Sequence, residues 1–403
     1  MSNKKIMILG ASILQLPAIK KAVNMGLTVI ALDMNPDAIG FSVPGVIREV
    51  ISTIDIPAAV VCAKKHRVDG VMTLASDMPM RTVAAVAKEL GLVGITQETA
   101  LRATNKAIMR EVLKQSGVPI PTFFKVTSRE EFNVAVAMFK EPFIVKPADN
   151  SGSRGIVKIE DLTDEKTIFD SYDYSKASSR NGDVVVEEYM SGPEVSVETL
   201  TVNGECHVIQ ITDKITTGAP HFVEMGHTQP SKLSDEIKQR ISDIARQANK
   251  AIGIANGPSH TEIIVTKDGP KIVEIGARLG GDCITTHLVP LSTGVDMVEC
   301  CIKIALGEKV ETKIKFSKGS AIRYLTCNTG KIRSISGLDD ARSLNGVKQV
   351  NMVYGMGDIV SEIKSSSDRV GFVVAQGDTP EEATDICNRA KEIINITMED
   401  VRA

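Results

Sequence analysis

A chain of 403 residues, 43% hydrophobic and 24% charged, has the composition of an ordinary soluble globular protein and is long enough for two or three domains. Its formal net charge of −3 argues against a nucleic-acid coat or a polybasic membrane anchor. The seven cysteines lack the paired short spacings of zinc sites, and the opening MSNKKIMILG holds no apolar segment of signal-peptide or membrane-span length. The expected setting is therefore the reducing cytoplasm.

KKIMILG is a continuous apolar run of the kind found in a strand covered on both faces, and Gly10 stops it at the entry to a helix. LTVIALDMNP predicts a second strand closing on Asp33, and GVIREVI, HRVDGVMTL and GLVGI predict three more, with RTVAAVAKEL helical before the last. This alternation is that of a doubly wound α/β domain of about a hundred residues. A dinucleotide fold begins in the same way. Here GASILQ supplies only the first of the three fingerprint glycines, with Ser12 and Gln15 at the other two positions, which argues against an NAD-dependent oxidoreductase.

TQETALRATNKAIMREVLKQSGVP predicts one helix, with Thr96 ahead of a capping-box-like Glu98 and with Gly117 and Pro119 as its stop. EPFIVKPADNSGSRGIVKIED then reads as strand, loop, strand, and the loop from Asn150 to Gly155 is a lid candidate over Lys146. Its glycines and serines let backbone N–H groups approach an anion, and Lys106 and Lys146 together with it favour phosphate binding. VVVEEYM ends a strand on Glu187 and Glu188; neighbours on a strand point to opposite faces, so one of the two faces inward. Tyr189 and Met190 follow, and Glu194, past the Gly192-Pro193 turn, is placed for ribose hydroxyls. Residues 207 to 230 read as loop-rich and carry His207, His221 and His227.

The stretch HTEIIVTKDGPKIVEIGARLGG sets two apolar runs about a turn and predicts an antiparallel hairpin, with Glu262 and Glu274 nearly opposite each other. Like charges across a ladder repel, so the pair needs either solvent or a cation between its members, and a hard divalent ion is the sharper reading. GARLGG places Arg278 between glycines just past the second acid, as a phosphate-handling site requires. The apolar helix containing Cys300 and Cys301 makes those thiols packing groups. From Lys313 onward, strands and the helix TPEEATDICNRAKEIINI predict a small α+β domain.

Taken in order, these motifs resemble the ATP-grasp carboxylate–amine ligases over nearly the whole chain. APHFVEMGHTQPS, SHTE and GARLGG look most like the L-amino-acid (dipeptide) ligase subgroup. The resemblance implies an α/β N-terminal domain over residues 1–98, an ATP-grasp domain over 99–308 with its lid at about 122–190, and an α+β C-terminal domain over 309–403. It implies that Lys106 and Lys146 bind ATP phosphates, that Ser151, Gly152, Ser153 and Gly155 cover them, and that Glu187, Glu188 and Met190 belong to the adenine hinge. By the same resemblance Glu194 contacts the ribose, Glu262 and Glu274 hold Mg2+ or Mn2+, and Arg278 lies by the transferred phosphate. Glu224, His227, Arg278 and Gly281 then border the substrate. Many members carry an asparagine two residues after the second acid, where this chain has Gly276.

The implied reaction phosphorylates a small carboxylate with ATP and lets an amine displace the phosphate, with Lys146 and Arg278 neutralising charge on the transferring oxygens. A purine-pathway or carboxylase relative of the same fold is the alternative, and a catalytically silent nucleotide-binding module is opposed by the retained acids, lysines and Arg278. The partners implied are small molecules and a second copy in a homodimer, with neither nucleic acid nor membrane.

Overall fold

In the computed structural model, which describes residues 4–150, 154–219 and 221–399, the chain begins with β1 (Lys5–Leu9), α1 (Leu16–Asn24), β2 (Thr28–Asp33), β3 (Ile47–Val50), α2 (Ile56–His66), β4 (Gly70–Met72) and α3 (Met80–Leu90). The strands form a parallel sheet ordered β3-β2-β1-β4. The unbroken apolar run of β1 has a direct cause. Met7 and Leu9 face Ala59 of α2 and Val83 of α3, whereas Ile6 and Ile8 face Ala18 and Ile19 of α1. Both faces are covered, so no residue alternates to solvent. Asp33, the acid a dinucleotide ribose would need, accepts the N–H groups of Ala11 at 2.8 Å and Asn35 at 2.9 Å. GLVGI is not the expected strand: Gly91 closes α3 in the left-handed conformation, with φ of +65°, and the chain passes directly to the next helix cap.

The single helix expected next is two, α4 (Gln97–Thr104) and α5 (Lys106–Gln115). Asn105 breaks them at φ −129° and ψ 109°, and its side chain accepts the N–H of Ile108 at 3.1 Å. Thr96 caps α4 through Thr99, but Glu98 stands one position too early for a capping box and pairs with Arg102 instead. The break puts Lys106 in the first turn of a new helix. A four-stranded sheet follows, built from β5 (Phe123–Val126), α6 (Arg129–Val136), β6 (Phe143–Pro147), β7 (Val157–Ile159), α7 (Glu165–Ser178) and β8 (Val184–Glu188), in the order β5-β8-β6-β7. Phe132, Phe143, Tyr172 and Val184 fill its core.

Next come β9 (Glu194–Val202), β10 (Glu205–Thr216), β11 (Glu224–Gln229), α8 (Asp235–Ile252), β12 (Gly257–Thr266) and β13 (Gly269–Gly276). The region expected to be loop-rich is mostly β10 and β11, joined by residues 217–223. Their polar residues Lys214, Glu224 and His227 are buried or half-buried, so the polar positions do not mark solvent.

A π-helical turn, Ile284–Leu288, leads to α9 (Val289–Thr293) and α10 (Met297–Ala305), the latter capped by Asp296. β14 (Gly319–Tyr324), β15 (Gly330–Ser336), α11 (Leu338–Ser343), β16 (Val347–Met352), β17 (Ile359–Val360), β18 (Gly371–Gly377), α12 (Pro380–Ile393) and β19 (Asn395–Glu399) complete the chain. β19, which no sequence signal marked, pairs with β15. One sheet runs β13-β12-β9-β10-β11-β14-β18-β16 and so joins strands from both sides of residue 309. Gly319 is required where it enters: a Cβ there would stand 1.8 Å from the carbonyl oxygen of Thr379. Among the described residues no disulfide forms, Cys62, Cys300, Cys301 and Cys387 are buried, and no helix is long and apolar enough to cross a membrane.

Replacing Asn105 by Ala removes the cap of α5 and is expected to lower unfolding free energy by about 1 kcal/mol, read from the urea midpoint.

Candidate active site

Glu262 on β12 and Glu274 on β13 are register partners across the hairpin, with a bulge just after Glu262. Their side chains are about one-fifth exposed, at 18% and 23%, so water alone does not screen them. Cations do. Glu262 accepts from Lys214 Nζ at 3.0 Å and from His260 Nε2 at 3.3 Å, and Glu274 lies 3.0 Å from Lys106 Nζ.

Lys214, to which no sequence motif points, also meets Glu194 at 2.5 Å and Glu224 at 3.7 Å. Burial alone would lower its pKa, but Glu262, Glu194 and Glu224 reverse that and hold it well above the ordinary lysine value. Glu262 is the converse: burial works against ionisation, yet Lys214 and His260 hold its carboxyl well below the usual range. Glu194 is raised by burial and by repulsion from Glu262, with Lys214 opposing. His260 is clamped from behind, its Nδ1 2.6 Å from Glu198 Oε1. Burial disfavours its charge, but Glu198 prevails and the pKa rises to about 9. Gly280 lets this pair pass, since a Cβ there would lie 2.8 Å from both Glu198 Oε2 and His260 Nδ1.

Lys106 donates to the carbonyl of Asn150 at 2.8 Å, which ties α5 to the expected lid loop. Ser151, Gly152 and Ser153 lie outside the described residues; Gly155, at φ +80°, is held by Ser175 Oγ, which donates to its carbonyl at 2.7 Å. Lys146 is buried on β6 and pairs with Glu187, which also takes Arg110 Nε at 3.0 Å. Burial lowers Lys146 and the neighbouring Arg110 and Lys106 add to this, against the pull of Glu187. Of the two adjacent acids, Glu187 therefore faces inward with its carboxylate engaged, and Glu188 faces outward to Lys271 at 2.8 Å. Met190 is buried just beyond β8.

Arg278 forms two parallel bonds with Asp77 from the loop after β4, Nε to Oδ1 at 3.0 Å and Nη2 to Oδ2 at 3.1 Å. Gly276 makes room for them: a Cβ there would stand 2.7 Å from Asp77 Oδ1 and 3.3 Å from Arg278 Nε. A cavity of about 300 Å³ lies here, with Asp77, Met78, Lys106, Asn150, Glu274 and Gly276 in its wall.

On the far side of Lys214, β11 carries Glu224 and His227. His227 is 1% exposed, and among the described residues neither ring nitrogen has a hydrogen-bond partner; Nε2 stands 3.6 Å from Asp282 Oδ2. A Cβ at Gly281 would lie 3.5 Å from Ala75 Cβ. Asp282 and Cys283 are consecutive left-handed residues, at φ +49° and +62°, a conformation non-glycine residues adopt only when held. Arg369, between β17 and β18, does the holding. Its Nη1 and Nη2 bond Asp282 at 2.7 and 2.8 Å, Nη1 also donates to the Glu224 carbonyl at 3.1 Å, and the guanidinium lies 3.8 Å over the Tyr324 ring. A solitary arginine ahead of the apolar run GFVVA was the one sequence signal for it.

Residues 139–286 match the ATP-grasp domain family and residues 323–399 match the L-amino acid ligase C-terminal domain 2 family. The uncharacterized protein y4rH of Sinorhizobium fredii (strain NBRC 101917 / NGR234) is 31% identical over 326 residues, covering 80% of this chain and 67% of that one. An L-arginine-specific L-amino acid ligase of Bacillus subtilis is 28% identical over 283 residues, 69% of this chain and 68% of that one. The crystal structure of an L-amino acid ligase from Bacillus licheniformis superposes with a TM-score of 0.84 at 25% identity, over 99% of each chain. The family match and these ligase relatives make the chain an ATP-dependent ligase that forms C–N bonds. The chain belongs to the ATP-grasp carboxylate–amine ligases, and its C-terminal domain is of the L-amino acid ligase kind.

Two outcomes follow from these contacts. Without divalent cations, protonated His260 stabilises the fold fully below about pH 6.5, and this contribution falls as pH rises toward about 9. The loss is at most about 3 kcal/mol and should vanish in His260→Gln, as read from denaturant midpoints across that pH range. Arg369→Met takes the guanidinium partner from the half-buried Asp282 and is expected to cost about 2 kcal/mol in urea unfolding, with partial recovery in the Arg369→Met/Asp282→Asn double variant, whose neutral side chain still tolerates the left-handed backbone.

Proposed function

We propose that the protein is an ATP- and magnesium-dependent ligase that activates the carboxylate of one amino acid as an acyl phosphate and joins it to the amino group of another. The observation that carries this reading is the register-paired Glu262 and Glu274 with Lys106, Lys214 and Arg278 close around them. Two facing carboxylates of which Glu262 is held firmly ionised form a hard oxygen donor set, which fits Mg2+ or Mn2+. When bound, that ion supplies charge neutralisation at the phosphate oxygens of ATP.

In this reading Lys106 and Lys146 grip the phosphates, the loop with Ser151, Gly152, Ser153 and Gly155 covers them, and Glu194 meets the ribose. Adenine lies against the hinge at Glu187, Glu188 and Met190. Because the Glu187 carboxylate is engaged by Lys146 and Arg110, the hinge offers adenine its backbone rather than that side chain. A substrate carboxylate oxygen attacks the γ-phosphorus, the bond to the ADP oxygen breaks, and the acyl phosphate forms. The amine nitrogen then attacks the acyl carbon, inorganic phosphate leaves with the C–O electron pair, and the proton lost by the nitrogen passes to the departing phosphate or to solvent. No protein nucleophile is needed, since the work is positioning and charge stabilisation. Arg278, preset by Asp77, faces the transferred phosphate, and Lys214 adds a cation beside Glu262.

The amino-acid character of the substrates is supported by the L-amino acid ligases among the relatives, and by Glu224 and His227 beside Lys214 and Asp282. Gly281 and Arg278 complete that border. A cytoplasmic homodimer is part of the same reading.

Incubation with ATP, Mg2+ and pairs of L-amino acids should release ADP only when a productive pair is present, with the dipeptide seen by mass spectrometry. Glu274→Gln is expected to lower that turnover by about a hundredfold or more. Wild-type turnover in this variant would remove the metal assignment, and ADP release indifferent to every amino acid would remove the substrate class.

A further inference from the structure

Away from the cleft, three ligating side chains meet at the outer edge of the first sheet. On the edge strand β3, Ile47, Glu49 and the following Ile51 are partly covered, while Arg48 and Val50 face solvent. Ile47 and Ile51 pack on the apolar core, so Glu49 places a carboxylate at a position where strand alternation calls for an apolar residue. From α2, Cys62 and His66 meet it, one helical turn apart and therefore on one face. One ligand atom from each of Glu49, Cys62 and His66 lies within 4.8 Å of the other two, and His66 Nε2 stands 2.5 Å from Glu49 Oε1. Cys62 is a free thiol, 3% exposed. An open groove of about 410 Å³ adjoins the cluster, with Pro57 and Val61 in its wall.

We propose that Glu49, Cys62 and His66 form a binding site for a borderline-soft divalent cation of the zinc class, with three protein ligands and a fourth position open to the groove. Sulfur and imidazole ligands suit zinc and cobalt, whereas the oxygen pair of the cleft suits magnesium, so the two sites select different ions. On binding, the Cys62 S–H bond gives its proton to solvent and a metal–sulfur bond forms. The proton shared between His66 Nε2 and Glu49 Oε1 is also released to solvent, the hydrogen bond opens, and His66 ligates through Nε2 as neutral imidazole protonated on Nδ1. Lys65 Nζ, 2.8 Å from Glu49 with 64% of its side chain exposed, withdraws into solvent. The ion would cross-link β3 to α2 on either side of residues 51–55, adjoining Ile54 and Ile56, which line the cleft cavity. The site does not depend on the ligase reading.

Cobalt(II) titration of the full-length protein, without thiol reductant, tests it. A thiolate-to-cobalt charge-transfer band should grow to one equivalent per chain and bleach on adding Zn2+. The band should persist in Glu274→Gln and be lost in Cys62→Ser and in His66→Gln, with circular dichroism confirming that both variants are folded. Lys65→Ala, which removes a competing cation from Glu49, should tighten cobalt binding by about threefold. Absence of any band at millimolar cobalt, or a band surviving in Cys62→Ser, would overturn the proposal.

Discussion

Two carboxylates forced opposite each other on neighbouring strands are the constraint around which the cleft is organised. The antiparallel register of β12 and β13 leaves Glu262 and Glu274 no freedom to separate, and their partial burial denies them full hydration. Each must be met by positive charge. The hairpin recruits it from three directions: Lys106 from the first turn of α5, Lys214 from β10, and His260 from the same strand as Glu262. These cations are in turn fixed by other acids, Glu194 on Lys214 and Glu198 on His260, so a layer of alternating charge extends from the cleft into the sheet. In a medium of reduced dielectric such a layer is stable only while every member is present.

The cleft is built from all parts of the chain, and each contribution joins elements far apart in sequence. Asp77, from the parallel sheet, sets the guanidinium of Arg278; Arg110 links the acid of β8 to the backbone of β13 at Val273; Arg369, ahead of β18, fastens Asp282 and the carbonyl of Glu224. Bidentate arginine pairs fix orientation as well as distance, and so suit contacts between elements distant in the chain. Gly276 and Gly280 are the complementary device, since side chains at either position would collide with the Asp77–Arg278 or Glu198–His260 pair.

Among the described residues, most of the buried polar side-chain atoms without a partner belong to this network, Thr82 Oγ1 and Thr261 Oγ1 standing apart from it. Arg110 Nη1, Glu198 Oε2 and both nitrogens of His227 are buried and unbonded. Buried polar groups ordinarily find partners, and under the proposed ligase reading those of His227, beside Asp282, meet theirs in the substrate. The backbone strain at Asp282 and Cys283 lies against the same histidine and is held by Arg369.

Local pattern decided much of this protein. The unbroken run of β1, the Lys-Asp-Gly-Pro turn and the count outward from it determined a buried parallel strand, the hairpin and the facing of Glu262 and Glu274, because strand periodicity and turn chemistry act over a few residues. The order of the motifs determined the fold and the class of chemistry. Where local signals were ambiguous they misled. GLVGI has strand composition but follows a left-handed helix end, Asn105 splits one helical pattern in two, and the polar residues of β10 and β11 mimic a loop because they serve a buried network. Lys214, Asp77 and Arg369 reach the cleft only through pairings across tens or hundreds of residues, and Glu49 meets Cys62 and His66 only because β3 is laid beside α2. Such meetings depend on how sheets and helices stack, which no spacing along the chain encodes.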